Sequence, residues 1–235
     1  MTDKTNHTAL PIYLQISESL MRDIASGQFI EGERLPPERE LAKTYGTTVR
    51  TLRKSLAELE KNGMLERVQG SGNYVRNNAD ARSVYSMFRL ELPSGGGLPT
   101  ATILSVDHMP KPNDLPTFGT SKAASRIRRL RFLDSHPIAI EEIWLDADSG
   151  AVNPATLSDS LYLFYKQKLG FWISRAVDSV WAAPVPDWTP DGFTLGAGQT
   201  AGYIERFSWA QKPEAVEFSR TWFDTDQARY VQRLK

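Results

Sequence analysis

The sequence contains no cysteine, which excludes disulfides and cysteine-ligated metal sites. Its three histidines, His7, His108 and His136, match no metal-binding spacing such as His-Glu-x-x-His. No run of about 18 apolar residues is present, so we expect no membrane span. The first six residues lack the apolar stretch of a secretory signal. These absences favour a cytoplasmic protein, and we predict no metal ion and no cofactor.

An excess of charge of one sign is also lacking, because 28 basic residues balance 28 acidic ones. Bulk electrostatics therefore give no indication of a nucleic-acid partner. The local distribution differs, since residues 47–76 contain six basic and three acidic side chains. The basic residues of this modest patch are Arg50, Arg53, Lys54, Lys61, Arg67 and Arg76.

A short helix is predicted to begin near Pro37, because proline suits the first turn, where its missing N–H would have no partner. Leu41, Ala42 and Tyr45 recur at helical spacing and form an apolar face. Gly46 can adopt positive φ and is expected to end this helix.

A second helix is predicted directly afterwards, with Thr47 or Thr48 as the cap that accepts a backbone N–H. Leu52, Leu56 and Leu59 form its apolar stripe. Two helices joined by a tight glycine turn indicate a helix-turn-helix, whose second helix lies in the major groove of DNA.

A β-hairpin is predicted to follow the second helix. Met64–Val68 is typical of a strand, residues 70–72 of a tight turn, and Asn73–Arg76 of the return strand. With a helix predicted over Pro11–Ser26 in front, residues 10–77 form a winged helix-turn-helix.

These elements closely resemble, in order, the N-terminal domain of the GntR family of bacterial transcription regulators. The resemblance rests on residues 11–13, 32–36, 38–42, 51–53, 59–60, Gly63 and 69–72. It implies that the domain binds double-stranded DNA. The residues predicted to do so are Arg39, Thr47, Thr48, Arg50, Thr51, Arg53, Gln69 and Gly70.

The arginines carry most of this prediction, because a guanidinium group can bind both acceptors of a guanine edge or a phosphate. For Arg39 the alternative is a surface ion pair with Glu38 or Glu40. Val49 stands where many family members have arginine, and it contacts a thymine methyl or packs in the core.

Residues 78–83 are polar and small and are predicted to be a linker, and residues 84–235 to be an α+β domain. A helix is predicted over Leu161–Leu169, ended by Gly170, and a further one over Pro190–Ala197. The predicted strands are Val84–Leu92, Thr100–His108, Ala124–Leu133, Ile138–Leu145, Trp172–Ala183, Gly202–Ala210 and Ala215–Phe223.

This half is similar to the UTRA domain of the HutC subgroup of GntR regulators, through residues 128–134, 136–141, 160–162 and 217–219. The resemblance implies an antiparallel sheet with flanking helices, related to the chorismate-lyase fold, that binds an effector. Arginines matching Arg129 and Arg131 bind the phosphate or carboxylate of the effector in that family. It also implies roles for Ser160 and Tyr162 near that group, and for Tyr230 in the pocket or in ordinary packing.

The residues themselves support an anion site, since Arg129 and Arg131 alternate along a strand and point the same way. Two such arginines repel one another unless an anion or a carboxylate lies between them. Glu141 and Glu217 are predicted either to neutralise these arginines or to contact the ligand.

Two other classes of protein were considered. The chorismate-lyase-like fold suggests an enzyme, but the sequence contains no nucleophile elbow and no defensible carboxylate pair, so we predict no catalysis. A DNA-binding architectural protein without effector would lack convergent polar groups in its second half. We therefore predict a homodimeric repressor that a small anionic metabolite releases from a palindromic operator.

Overall fold

The computed structural model describes residues 11–76, 87–157 and 160–233, which divide into two compact units. The N-terminal unit contains residues 11–99 together with 230–233, and the second unit contains residues 100–229. The predicted linker, 78–83, lies outside the described residues.

The N-terminal unit is built on three helices, α1 (Ile12–Ala25), α2 (Glu38–Thr44) and α3 (Val49–Lys61). A hairpin follows, formed by β1 (Leu65–Val68) and β2 (Gly72–Val75). This order confirms the winged helix-turn-helix.

Local signals explain where α2 and α3 begin and end. Pro37 occupies the cap position of α2 rather than its first turn. Gly46 adopts a φ of 55° in the turn that follows. Thr48, not Thr47, caps α3, because its side chain accepts a hydrogen bond from the Thr51 N–H.

The core of this unit lies between α1 and α3. The predicted stripe of α3, Leu52, Leu56 and Leu59, is completely buried, as are Ile16 and Leu20 of α1. Val49 packs against the same core from the start of α3. Val49 was predicted either to contact a thymine methyl or to pack in the core, and the structure shows that it packs.

The C-terminal end of the chain returns to the N-terminal unit. Strand β3 (Leu90–Glu91) pairs with β10 (Arg229–Tyr230), and the Val231 N–H donates to the Arg89 carbonyl at 2.8 Å. Arg233 then forms two hydrogen bonds with the Glu91 carboxylate, at 2.6 and 2.9 Å.

The second unit is organised on one six-stranded sheet with the order β4-β5-β6-β9-β8-β7. In this order, each strand from β5 onward is antiparallel to its neighbour: β5 to β6, β6 to β9, β9 to β8, and β8 to β7. The strands are β4 (Pro99–Pro110), β5 (Ala123–Leu133), β6 (His136–Asp146), β7 (Arg175–Pro184), β8 (Thr200–Trp209) and β9 (Glu217–Phe223).

A helical segment covers one face of this sheet, which we call the front face. Helix α4 (Leu161–Phe164) continues as a π-helical turn over Tyr165–Leu169, and Gly170 ends it with a φ of 73°, as predicted. Phe164 and Tyr165 pack there on Ile127 and Ile143 of the sheet.

The helix predicted over Pro190–Ala197 is wrong. The segment consists of turns, and Gly192 just inside it and Gly198 just after it adopt positive φ. Proline lacks a backbone N–H donor and glycine readily adopts positive φ, so both favour turns over a helix. The segment instead packs on the opposite, back face of the sheet through Phe193 and Leu195.

Replacing Gly202 with alanine is expected to destabilise the second unit by about 1–3 kcal/mol. Gly202 lies opposite Phe223 in the β8–β9 pair, and a Cβ there would overlap the Phe223 ring. Urea unfolding followed by tryptophan emission measures the change, because all six tryptophans lie within residues 144–222. The control is Gly196→Ala, whose Cβ meets only a side-chain oxygen at 3.5 Å. Equal unfolding midpoints for the two variants would contradict this packing.

Candidate DNA interface and effector site

The start of α3 presents the predicted DNA contacts to solvent. Arg50, Arg53 and Thr48 are exposed, and Thr51 is half-buried. The Thr48 and Thr51 hydroxyls lie 2.9 Å apart, so the cap of α3 is formed by side chains that are also predicted to contact DNA. Thr47 is half-buried, and its N–H donates to the Ala42 carbonyl at 2.8 Å.

Glu38 connects α2, α3 and the wing. Its carboxylate accepts a hydrogen bond from Arg53 Nε at 2.7 Å and another from Arg67 at 3.4 Å. The Arg53 side chain is 63% exposed, so this ion pair adds little stability and leaves the guanidinium group accessible to a competing anion. Arg39 is also exposed, and among the described residues it forms no ion pair with Glu38 or Glu40.

The wing places a tight turn beside this surface. Gly70 adopts a φ of 75° between β1 and β2, and Gln69 beside it is exposed. The Ser71 and Tyr74 hydroxyls are hydrogen-bonded at 2.7 Å, which stabilises the hairpin end. The tip therefore offers backbone N–H groups and an amide side chain on a fixed hairpin.

The second cluster of polar residues lies on the front face of the sheet, where Glu141 sits between two arginines. Arg129 is directly opposite Glu141 across β5 and β6 and donates to its Oε2 at 2.5 Å. Arg131 Nη1 lies 3.9 Å from the same oxygen. Both arginines are only 5% exposed. The like charges are thus held together by a buried carboxylate.

A third arginine, Arg206 of β8, lies on the same face. It forms two hydrogen bonds with the carboxylate of Asp178, at 2.6 and 2.7 Å, directly across the β7–β8 pair. Burial lowers the pKa of Arg206, but the hydrogen bonds to Asp178 hold it above its ordinary value. Arg206 therefore remains a permanent cation beside the Arg129 pair.

Glu217 completes the front-face cluster. Its carboxylate accepts a hydrogen bond from the Tyr165 hydroxyl at 2.6 Å and from Ser208 at 2.9 Å. The Tyr162 hydroxyl lies 3.4 Å from Ser208, so one hydroxyl connects the tyrosine to the carboxyl. Tyrosines 162 and 165 both project from the helical segment that covers the sheet.

The pKa values of the two glutamates of the cluster are shifted in opposite directions. Burial raises the pKa of Glu141, but Arg129 and Arg131 outweigh burial and hold that pKa below its ordinary value. Burial raises the pKa of Glu217 above its ordinary value despite its two hydroxyl donors. Burial also raises the pKa of Tyr162 to about 12. The cluster thus combines three arginines with three carboxyl groups, of which Glu217 has its pKa raised by burial.

The structure brings together five of the seven residues predicted for the effector: Arg129, Arg131, Glu141, Tyr162 and Glu217. Ser160 is buried at the cap of α4, and its carbonyl accepts from the Phe164 N–H. Tyr230 lies on β10, in the N-terminal unit, and its place in the pocket stays a prediction.

Sequence reasoning missed Arg206, Asp178, Ser208 and Tyr165. Arg206 and Asp178 are 28 positions apart, and Ser208 and Glu217 are nine. The partners of Arg206, Asp178 and Ser208 depend on strand register, which the sequence does not specify. A charged residue inside a largely apolar strand is the signal that marks Arg206 and Asp178, whereas no such signal marks Ser208 or Tyr165 of the helical segment.

The cluster can bind and orient a small anion, because it offers guanidinium groups for charge and hydroxyls for polar atoms. Across the described ranges, no group of three or more His, Asp or Glu residues could hold a metal ion. Within the same ranges, no helix is long and apolar enough to cross a membrane.

The fold and these two sites define a class: a winged-helix DNA-binding protein with a separate sensing domain. Residues 12–75 match the family described as bacterial regulatory proteins, gntR family, and residues 94–229 match the UTRA domain. The chain belongs to the GntR family of bacterial transcription regulators, in the HutC subgroup that carries a UTRA domain. It is a regulator of transcription and not an enzyme.

Relatives along nearly the whole chain are regulators too. The HTH-type transcriptional regulator SmoD of Agrobacterium fabrum is 51% identical and covers 97% of both chains. The HTH-type transcriptional repressor NagR of Bacillus subtilis is 26% identical, over 96% of this chain and 95% of its own. The mannosyl-D-glycerate transport/metabolism system repressor MngR of Escherichia coli is 26% identical, over 94% and 95%.

Solved structures share the fold. The possible transcriptional regulator YydK from Bacillus subtilis has a TM-score of 0.53 at 20% identity and covers 96% of this chain and 100% of its own. The ligand-binding domain of a putative GntR-family regulator from Bordetella bronchiseptica has a TM-score of 0.53 at 19% identity, covering 63% and 96%.

Proposed function

We propose that this protein is a homodimeric repressor that binds a palindromic operator in the bacterial cytoplasm and leaves it when a small anionic effector binds. Residues 10–77 bind DNA, residues 84–235 bind effector and dimerise, and residues 78–83 link the two. The effector is a hydroxylated anion, in the class of sugar derivatives with a carboxylate, phosphate or related group.

One observation carries the effector assignment. Arg129, Arg131 and Arg206 lie on one face of one sheet, largely buried, and each is paired with a carboxylate of a neighbouring strand. Burying a cation is costly without a partner of opposite charge. A ligand anion can take the place of Glu141 or Asp178 as that partner, and the hydroxyls of Tyr162 and Ser208 are suited to bind its polar groups.

The relatives favour the same class of ligand. MngR is named for a mannosyl-D-glycerate system, and that compound joins a sugar to a carboxylate. NagR and MngR are both repressors of nearly the same length as this chain. The repressor assignment rests on them.

Effector binding must change an existing network of ion pairs in order to act. An anion that binds Arg129 or Arg131 competes with Glu141, and one that binds Arg206 competes with Asp178. A ligand shifts a conformational equilibrium only through unequal affinity for its two states. We infer that rearrangement of these cross-strand pairs supplies that difference.

The DNA side follows the geometry of two-fold symmetry. A dimer of winged domains places two α3 helices in successive major grooves, so a palindrome with fixed half-site spacing is its natural site. Effector binding lowers affinity by moving the domains away from that spacing.

Fluorescence anisotropy tests the proposal. A labelled duplex from the region upstream of this protein's own gene is titrated beside a scrambled duplex at two salt concentrations. A panel of anionic sugars, sugar phosphates and organic acids follows, with the matching neutral sugars as controls. We expect selective binding that one hydroxylated anion reverses and its neutral counterpart does not. Equal binding to both duplexes with the same salt dependence would indicate phosphate contact alone and favour an architectural protein.

A further inference from the structure

Two hydroxyl residues of β9, Ser219 and Thr221, lie in the middle of the front face of the sheet. Side chains alternate along a strand, so both point to the same face as Glu217 of their own strand. Ser219 is directly opposite Arg206 of β8, and Thr221 is directly opposite Glu141 of β6. The two hydroxyl residues therefore lie between the two groups of ion pairs on this face.

Both side chains are buried, and their hydroxyls have no partner in the protein. Ser219 is 7% exposed and Thr221 is 8% exposed. In the part of the chain that the structure describes, neither side chain forms a hydrogen bond. Hydroxyl groups that are shielded from bulk water are normally hydrogen-bonded. These two residues can therefore bind a polar group from outside the chain without giving up a bond.

The other hydroxyls of the cluster are already engaged. Ser208 donates to the carboxylate of Glu217 at 2.9 Å, and the Tyr162 hydroxyl lies 3.4 Å from Ser208. A ligand that binds Ser208 or Tyr162 has to replace these contacts. The unused hydrogen-bonding capacity of the cluster thus lies on β9, at Ser219 and Thr221.

We propose that Ser219 and Thr221 bind uncharged hydroxyl groups of the effector and determine which hydroxylated anions the protein accepts. This inference rests on the anionic effector of the proposed function and adds the residues that choose among such anions. Serine and threonine hydroxyls both donate and accept, so they can bind a sugar hydroxyl in either direction.

The position of β9 in the sheet suits this role. Strands β6 and β8 flank β9 and are about 10 Å apart, which is two strand spacings. One sugar-sized molecule above β9 can therefore reach the ion pairs on both sides. Because β9 is hydrogen-bonded to a strand on each side, its side chains project from a backbone that is fixed in place.

The arginines and the β9 hydroxyls would then have different tasks. Guanidinium groups recognise the charge that all candidate anions share. A site that hydrogen-bonds a ligand hydroxyl rejects an analogue that lacks it, because the buried group of the protein is then left without a partner. Selection among hydroxylated anions is therefore the task of Ser219 and Thr221.

Two variants that each remove one hydroxyl, Thr221→Val and Ser219→Ala, test the proposal. The probes are the anionic sugars and sugar phosphates that release the operator in the anisotropy panel, each measured beside its monodeoxy analogues. We expect the unmodified protein to need about 10-fold more of one monodeoxy analogue than of its parent compound for half-release. In at least one variant this preference should fall to about twofold or less, because the ligand hydroxyl has lost its partner. Preferences at the other positions of the sugar should remain unchanged.

The matched control is Ser125→Ala, because Ser125 is also a buried serine of this sheet, but its hydroxyl lies 3.5 Å from His108 Nδ1. It should leave every preference unchanged, and all three variants should bind the operator as the unmodified protein does when no effector is present.

A purely structural role of the β9 hydroxyls would weaken the parent compound and its analogues equally, and an unchanged preference in both β9 variants would overturn the proposal. An unmodified protein that does not distinguish any parent from its monodeoxy analogues, or a preference that is also lost with Ser125→Ala, would overturn it too. Failure of every anion in the panel to release the operator would overturn the proposed effector itself, and this inference with it.

Discussion

Replacing Arg129 and Arg131 together with alanine is expected to abolish the response to effector while operator affinity changes by less than about twofold. Both side chains belong to the front-face cluster of the second unit, whereas the predicted DNA contacts lie on α2, α3 and the wing. Loss of two charge-assisted hydrogen bonds to one anion costs about 3–6 kcal/mol, or on the order of 100-fold or more in effector affinity. Anisotropy of the operator complex, titrated with the effector found in the panel, measures both quantities.

This experiment has to exclude loss of folding as the cause of a lost effector response. Removing both arginines leaves the ionised Glu141 buried, which typically costs about 3–5 kcal/mol. A companion variant therefore adds Glu141→Gln, which removes that charge. The matched control is Arg128→Ala, because Arg128 lies on the same strand but points to the back face, where it pairs with Glu142. An effector response that survives in the companion variant, or disappears with Arg128→Ala, would refute the assigned site.

Replacing Arg53 with alanine is expected to weaken operator binding by about 1–3 kcal/mol, or roughly 5- to 150-fold. Arg53 is exposed on α3, at the surface predicted to enter the major groove, and within the described ranges its ion-pair partner is Glu38. Arg39→Ala should have an effect of the same size. The concentration of effector that releases half of the complex should remain unchanged.

A second variant, Glu38→Gln, changes the other member of the Arg53–Glu38 ion pair. It removes the carboxylate that binds Arg53 and Arg67, so we expect operator affinity to rise rather than fall. Binding measured at several salt concentrations separates the two roles of Arg53. A phosphate contact reduces the salt slope by about one, whereas a base contact relaxes sequence preference at one position. Unchanged affinity in both Arg53→Ala and Glu38→Gln would remove Arg53 from the interface.

The winged domain was predictable because its signals are local. Gly46 and Thr48 define one turn, and Leu52, Leu56 and Leu59 define a stripe within one helix. These features depend on neighbours a few residues away, so the sequence alone specifies them. Six of the seven strands predicted for the second half lie within a few residues of an observed strand, because alternation and turn residues mark them. The strand predicted over Val84–Leu92 is wrong in extent, since its described part contains only Leu90–Glu91 as a strand.

The missed features depend on partners distant in sequence. The Arg206–Asp178 pair exists only because β7 and β8 adopt one register, and a shift of one residue would send each side chain to the other face. Strand β10 has two residues, too few for a periodic pattern. The segment at 190–197 is not a helix for a different reason, since its proline and glycines favour turns.

The pairing of β3 with β10 makes the sensing domain, in terms of chain topology, an insertion rather than an appendage. The chain leaves the N-terminal unit after residue 99 and rejoins it at residue 230, where Arg233 binds Glu91. A single junction in the linker, at 78–83, exchanges β3 and β10 together, because both strands follow the linker in the chain. A single junction near residue 99, where the chain leaves the N-terminal unit, would instead keep β3 and replace β10, so a hybrid made there needs a second junction before residue 229 to keep both strands from one parent.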